Sequence, residues 1–221
     1  MSTPRDRLRE APASLRLYAV TDDAWLDGRS LESCCVEAVR GGATFLQLRD
    51  KRASTDGLVA QYRRIRAALD EAGFGEVLCV IDDDVEAALA ADADGVHVGQ
   101  DDTDCVRARA VLGPDKIVGV SAQSVEQACA AEVAGADYVG AGALIATPTK
   151  PDAAHVSRDE LRRICAATSI PVVGIGGLNA RTVSCLEETG AAGAAVVSAI
   201  FAADDIEKAT RMLRREVDRV V

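Results

Sequence analysis

The chain has 221 residues, 48% of them hydrophobic and only 3% aromatic. That is enough for one large core of Ala, Val, Leu and Ile, and no composition shift marks a second. Acidic side chains number 35 against 25 basic ones, a net charge of −10, which excludes a broad nucleic-acid or anionic-membrane surface and leaves any anion to a few placed cations and backbone N–H groups.

The opening segment, MSTPRDRLREAPAS, is charged and has no apolar core of the secretory kind, and no run reaches the roughly 18 apolar residues of a membrane span. A soluble, cytoplasmic protein is expected. Residues 1–14 read as an N-terminal extension, flexible or a short helix, ahead of a single domain over 15–221. Short β-branched runs then alternate with helical stretches. Strands are expected at 17–21, 44–48, 77–81, 95–98, 117–121, 138–141, 171–175 and 193–197, with helices such as 31–40, 58–72, 85–91, 125–134 and 158–167 between them. Eight β-α units closing on themselves give a single-domain α/β protein, a (β/α)8 TIM barrel of minimal length. Gly41-Gly42, Ala93-Asp94-Gly95, Gly135-Ala136 and Gly190-Ala191 join helices to strands, as helix C-caps with tight turns would. An open doubly wound sheet fits less well, because Thr21-Asp22-Asp23 follows the first strand where a G-x-G-x-x-G would be needed.

The seven cysteines, Cys34, Cys35, Cys79, Cys105, Cys129, Cys165 and Cys185, form no C-x-x-C and lie near no paired histidines, so they read as reduced core thiols.

The chemistry gathers after the strands, at the C-terminal face where barrels carry their sites. Period-2 alternation through Gln47-Leu48-Arg49-Asp50-Lys51 puts Gln47, Arg49 and Lys51 on one side and Leu46 and Leu48 on the other. A rigid guanidinium fork beside a compact ammonium suits a diphosphate. The third strand ends in Asp82-Asp83-Asp84 and the fourth runs into Gln100-Asp101-Asp102. Neighbouring carboxylates at one barrel end call for a cation, and Mg²⁺, which takes one or two carboxylates with waters and phosphate oxygens, is the natural occupant. The alternative is N-capping of the helices that follow. His97, within a strand, reads as a buried structural histidine. Gly176-Gly177 and Val197-Ser198 follow the seventh and eighth strands, the recurrent phosphate site of such barrels. Thr147-Pro148-Thr149-Lys150 adds two hydroxyls and an ammonium in a long loop. Two anion sites imply two phosphorylated substrates.

In order along almost the whole chain, Leu17-Tyr18-Ala19-Val20-Thr21-Asp22, Gln47-Leu48-Arg49-Asp50-Lys51, the segment from Gly95 to Asp102, Gly119-Val120-Ser121, Thr147-Pro148-Thr149-Lys150, Gly174-Ile175-Gly176-Gly177 and Val197-Ser198-Ala199-Ile200 resemble the thiamine-phosphate synthase (thiamine-phosphate pyrophosphorylase) family. The resemblance implies a Mg²⁺-dependent transferase. It would condense 4-amino-2-methyl-5-hydroxymethylpyrimidine diphosphate with hydroxyethylthiazole phosphate, giving thiamine phosphate and diphosphate in thiamine biosynthesis. Carried over by position, Gln47, Leu48, Arg49, Asp50, Lys51, Ser121 and Lys150 look like pyrimidine-diphosphate contacts, with Arg49, Lys51, Ser121 and Lys150 as the catalytic set. Asp83 and Asp102 look like Mg²⁺ ligands, and Thr147, Pro148, Thr149, Gly177, Val197 and Ser198 like the thiazole-phosphate site. The implied mechanism is dissociative, with no protein nucleophile.

Asp82 departs from the pattern, standing where the family has an asparagine that contacts the pyrimidine substrate; it is expected either to join the Mg²⁺ shell or to be partly protonated. A second departure is the small stretch Gly142-Ala143-Leu144-Ile145-Ala146 before Thr147. Other readings are a thiazole tautomerase-like relative and a non-catalytic sensor of thiamine precursors. The partners implied are small molecules, without nucleic acid or membrane, for a monomer or homodimer. The loop at 143–157, with Pro148 and Pro151, is expected to act as a lid.

Overall fold

The computed structural model describes residues 2–26, 28–100, 104–145 and 155–221. Among them eight strands, β1 (Leu17–Val20), β2 (Phe45–Leu48), β3 (Leu78–Asp82), β4 (Gly95–Val98), β5 (Ile117–Ala122), β6 (Tyr138–Ala141), β7 (Val172–Ile175) and β8 (Gly193–Val196), each pair in parallel with the next, and β8 pairs with β1 to close a barrel. The fold is the (β/α)8 barrel the alternation predicts.

Alternation within each strand sets two layers. Inward-facing Tyr18, Val20, Phe45, Leu78, Val80, Ile117, Tyr138, Val173 and Ala195 fill the barrel as one cluster, while Ala19, Leu46, Leu48, Cys79, Ile81 and Val96 pack outward against the helices. Because both faces are covered, the strands read as continuous apolar runs. Tyr18, Phe45 and Tyr138 meet edge to face with ring centroids 4.7 to 5.9 Å apart, the geometry favoured by ring quadrupoles. Gly119 makes room for them, since a Cβ there would lie 2.1 Å from Tyr138 Cζ.

The outer layer consists of amphipathic helices, started by side-chain caps in all but the four-residue α8 (Ser198–Phe201). In α3 (Thr55–Glu71) the spacing of Leu58, Tyr62, Ile65 and Leu69 presents one apolar stripe to the barrel, and in α9 (Ile206–Val220) Ile206, Leu213 and Val217 do the same. α3 starts three residues before the expected Leu58, because Ser54 Oγ accepts from the Gly57 N–H and makes Thr55 the first helical residue. Asp84 caps α4 (Val85–Ala90) and Asp104 caps α5 (Cys105–Leu112), so these two aspartates follow the capping alternative, each contributing about 1 kcal/mol. β8 ends one residue earlier than expected because Val197 already caps α8 (Ser198–Phe201). All seven cysteines are free, and Cys34, Cys35, Cys79 and Cys105 are buried; burial pushes the Cys79 thiol up to about 12. Among the described residues no helix is long and apolar enough to cross a membrane.

The N-terminal extension forms a helix, α1 (Pro4–Glu10), with a Thr3/Asp6 capping box, and its Leu8 joins the barrel-interior cluster. The Asp137 carboxylate, fully buried, fastens this helix. It accepts from Arg5 Nε at 2.6 Å, from Arg109 Nη2 and from the Val118 N–H at 3.0 Å, with Arg9 at 3.6 Å. Asp137→Ala leaves Arg5 and Arg109 facing a buried gap and is expected to lower unfolding free energy by about 3–5 kcal/mol, whereas Arg9→Ala, at a side chain 60% exposed, costs under about 1 kcal/mol. Urea denaturation of the two variants checks the contrast.

Candidate active site

The site is the C-terminal mouth of the barrel, reached by the last inward-facing residues of β1 to β5. Gln47, Arg49 and Lys51 leave β2 on the same side. Gln47 is buried and Arg49 is 21% exposed. Arg49 Nη1 donates to Asp22 Oδ2 at 2.8 Å, and its Nε lies 3.5 Å from Asp82 Oδ2. Its backbone is clamped as well: the Arg49 N–H donates to Thr21 Oγ1 at 2.8 Å and Thr21 Oγ1 donates back to the Arg49 carbonyl at 3.0 Å. Lys51 Nζ lies 3.2 Å from Asp82 Oδ2 and also donates to Asp83. One ammonium and one guanidinium thus face three carboxylates, Asp22, Asp82 and Asp83.

Asp83 sits in left-handed backbone at φ 59°, with its N–H tied to the His97 carbonyl at 2.8 Å. That turn brings Asp83 beside Asp82 at the end of β3. Burial and the neighbouring Asp83 charge push the Asp82 carboxyl up to about 6, with Lys51 and Arg49 pulling the other way. Burial also works against the Lys51 charge, but Asp83 and Asp82 override it and hold the ammonium above the usual lysine value. Two adjacent carboxylates are hard oxygen donors of the type a Mg²⁺ ion takes. Asp82 and Asp83 could therefore hold such an ion. No cluster of three or more His, Cys, Asp or Glu side chains is poised for a metal among the described residues, and Asp102 lies outside them.

Deeper in the mouth a hydrogen-bond chain links five side chains. Gln47 Nε2 donates to Tyr18 Oη at 2.8 Å, Tyr18 Oη meets Tyr138 Oη at 2.8 Å, Tyr138 Oη meets His97 Nδ1 at 3.0 Å, and His97 Nε2 meets Ser121 Oγ at 3.0 Å. His97 is buried, and Gln100 Nε2 fixes the Ser121 carbonyl from outside at 2.6 Å. Across the mouth, Gly176 and Gly177 adopt φ +96° and +65°, and a Cβ on either would lie 2.6 to 2.7 Å from Ala143 or Ile145. Only glycine lets these two loops pass so closely. Thr182 Oγ1 donates to the Gly177 carbonyl at 3.0 Å, and Ser198 opens α8, exposed, beside a half-buried Val197.

Of the residues expected at the site, Gln47, Arg49, Lys51, Asp82, Asp83 and Ser121 line the mouth from the β2, β3 and β5 ends, and Gly177, Val197 and Ser198 from the β7 and β8 ends. Two of the expected residues turn their side chains elsewhere. The Leu48 side chain points into the strand–helix layer, fully buried. The Asp50 carboxylate is turned to its own loop, accepting from the Arg52 and Ala53 N–H groups and from Gln61 Nε2 at 2.8 to 3.1 Å. It shapes the entry to α3. Asp102, Thr147, Pro148, Thr149 and Lys150 lie outside the described residues, as does most of the expected lid, whose ends are joined by the Val156 N–H donating to the Ala143 carbonyl at 2.8 Å. Sequence reasoning missed Asp22, Tyr18 and Tyr138. Asp22 stands in the strand-end phrase Thr21-Asp22 and was legible as a partner for Arg49 only once β1 and β2 were known to be neighbours.

A family model described as thiamine monophosphate synthase matches residues 17–200. The chain belongs to that family. A thiamine-phosphate synthase of Ruminiclostridium cellulolyticum is 45% identical over 197 residues, covering 89% of this chain and 92% of that protein, and one of Chloroflexus aurantiacus is 46% identical over 200 residues, covering 90% and 91%. A solved thiamine phosphate pyrophosphorylase of Pyrococcus furiosus superposes with a TM-score of 0.85 at 38% identity, over 95% of this chain and 98% of that one. The geranylgeranylglyceryl phosphate synthase of Thermoplasma acidophilum, at 16% identity and a TM-score of 0.71, shares the fold.

The raised Asp82 carboxyl has a consequence for stability. Between pH 3.8 and about 6 the folded state holds a proton that the unfolded chain has released, so stability falls as pH rises through that window and stays lower above it. Asp82→Asn removes the penalty. In chelator, its thermal midpoint should rise relative to wild type across the window and remain higher at pH 7, by the equivalent of about 1–3 kcal/mol. Parallel melting profiles for the two proteins would show that Asp82 carries no such cost.

Proposed function

We propose that this thiamine monophosphate synthase family member condenses 4-amino-2-methyl-5-hydroxymethylpyrimidine diphosphate with hydroxyethylthiazole phosphate, with Mg²⁺ as cofactor, to give thiamine phosphate and diphosphate. The observation that carries the reading is the convergence of Arg49 and Lys51 on Asp82 and Asp83 at the barrel mouth, in a chain whose relatives at 45% and 46% identity are thiamine-phosphate synthases.

The reaction breaks the bond between the pyrimidine methylene and the diphosphate oxygen, and the thiazole nitrogen then bonds to that carbon. In a dissociative course the electron pair leaves with the diphosphate, so the protein's task is to stabilise charge gathering on the leaving oxygens. Arg49 is held for this by Asp22 on its far side and by Thr21 on its backbone, so its fork is oriented before substrate arrives. Lys51, 53% exposed, is less confined and can turn from Asp82 and Asp83 to a phosphate oxygen. Asp82 and Asp83 would hold the metal, which supplies positive charge to the diphosphate oxygens. Ser121 would contact the pyrimidine substrate. The glycine pair at 176 and 177 and the start of α8 leave backbone N–H groups for the thiazole phosphate. No protein nucleophile takes part.

The purified protein, given both substrates with and without Mg²⁺, should form thiamine phosphate and diphosphate in equal amounts only with the metal. Arg49→Ala should lower kcat/KM on the order of 10²–10³-fold by removing an oriented donor from the leaving group. Binding of the thiazole phosphate with no turnover would favour the tautomerase-like or sensor alternative.

A further inference from the structure

The chain from Gln47 to Ser121 has a direction. The Gln47 Nε2 group can only donate, so Tyr18 Oη accepts from it at 2.8 Å. A phenol oxygen can accept twice but has one proton to place, and in this buried site the arrangement that gives both phenol protons an acceptor within the chain sends that of Tyr18 to Tyr138 Oη, 2.8 Å away. In that arrangement Tyr138 gives its one proton to His97 Nδ1 at 3.0 Å, which is then the unprotonated nitrogen of the ring. The imidazole proton sits on Nε2 and is donated to Ser121 Oγ at 3.0 Å. Both phenols are fully buried, and burial raises their pKa well above the usual tyrosine value, so both keep the proton the chain requires. The surrounding barrel interior, Val20, Phe45, Leu78 and Val80, is apolar, which strengthens each link and penalises a broken one.

We propose that His97 is a positioning residue, held by Tyr18 and Tyr138 as the Nε2–H tautomer so that Ser121 accepts from it and turns its own hydroxyl proton to the diphosphate-bearing substrate at the mouth. This rests on the transferase reading for the identity of the acceptor, but the polarity of the chain stands on the free protein alone. Without the relay, Ser121 could rotate its proton back to His97 and present a lone pair to an oxygen of the substrate, a repulsive contact in place of a hydrogen bond. The opposite polarity, with the proton on His97 Nδ1 and Ser121 donating inward, either turns the Gln47 amide end for end or leaves the buried Tyr18 proton without an acceptor in the chain.

The chain contains two histidines, His97 and the exposed His155, so a long-range ¹H–¹⁵N correlation spectrum of the labelled protein, assigned with His155→Gln, reads the tautomer directly. His97 should be Nε2–H alone in the wild type, and Tyr138→Phe or Tyr18→Phe should release it into a mixture. In turnover, Tyr138→Phe should lower kcat about tenfold with the KM for thiazole phosphate unchanged, and in a Ser121→Ala background it should cost less than about twofold more, since the two act through one hydroxyl. A role in packing alone would leave the costs additive. Finding His97 as Nδ1–H, or as a mixture in the wild type, would overturn the proposal, and so would additive costs. Should the wild type fail to turn over the two substrates, the transferase reading falls while the spectrum still decides the polarity.

Discussion

Everything at the barrel mouth depends on the alternation of side chains along strands that close on themselves. A parallel barrel leaves an inward side chain two choices: pack into the interior, or extend toward one end. Here the interior is filled by Tyr18, Phe45, Tyr138 and their aliphatic neighbours, and α1 closes the bottom with Leu8. The next inward positions, Gln47, Asp82, His97 and Ser121, are polar. They either bond to the tyrosine hydroxyls or look out through the mouth, and Arg49 and Lys51 continue the β2 line beyond the last strand bond.

The arrangement stores cost where chemistry is placed. Asp83 holds a left-handed backbone conformation without being glycine, a strain of order 1–3 kcal/mol. Asp82 is buried beside it and carries a carboxyl pushed up to about 6. Neither feature helps folding. The compensation lies elsewhere: side-chain caps at the helix starts, a continuous aliphatic layer between strands and helices, and the Asp137 clasp at the opposite end of the barrel. Stability and chemistry occupy the two ends of the same strands.

Much of this was legible in the sequence because barrel strands leave two local signals, β-branched runs and glycine-bearing helix-to-strand turns. Those place Arg49 and Lys51 on one side of β2 without any contact information. Asp50 could not be assigned the same way. It sits between two mouth-facing residues, and its carboxylate is turned to its own loop by partners that include Gln61, 11 residues further on in α3. Leu48 illustrates the limit of a motif carried over whole, since the same alternation that turns Arg49 to the mouth turns Leu48 to the helices. The tyrosine relay was hidden for another reason. Tyr18 and Tyr138 are 120 residues apart, and nothing local distinguishes them from core aromatics until strand order brings β1, β4, β5 and β6 around one axis.

The central claim is that Arg49, Lys51, Asp82 and Asp83 form a diphosphate site completed by a divalent cation. Calorimetric titration of inorganic diphosphate into the protein, with and without Mg²⁺, tests it apart from any turnover. Mg²⁺ should tighten diphosphate binding at least about tenfold, and Asp83→Asn should abolish the gain while Lys51→Ala weakens binding in both conditions. Binding that is the same with and without the metal, or unchanged in both variants, would contradict it.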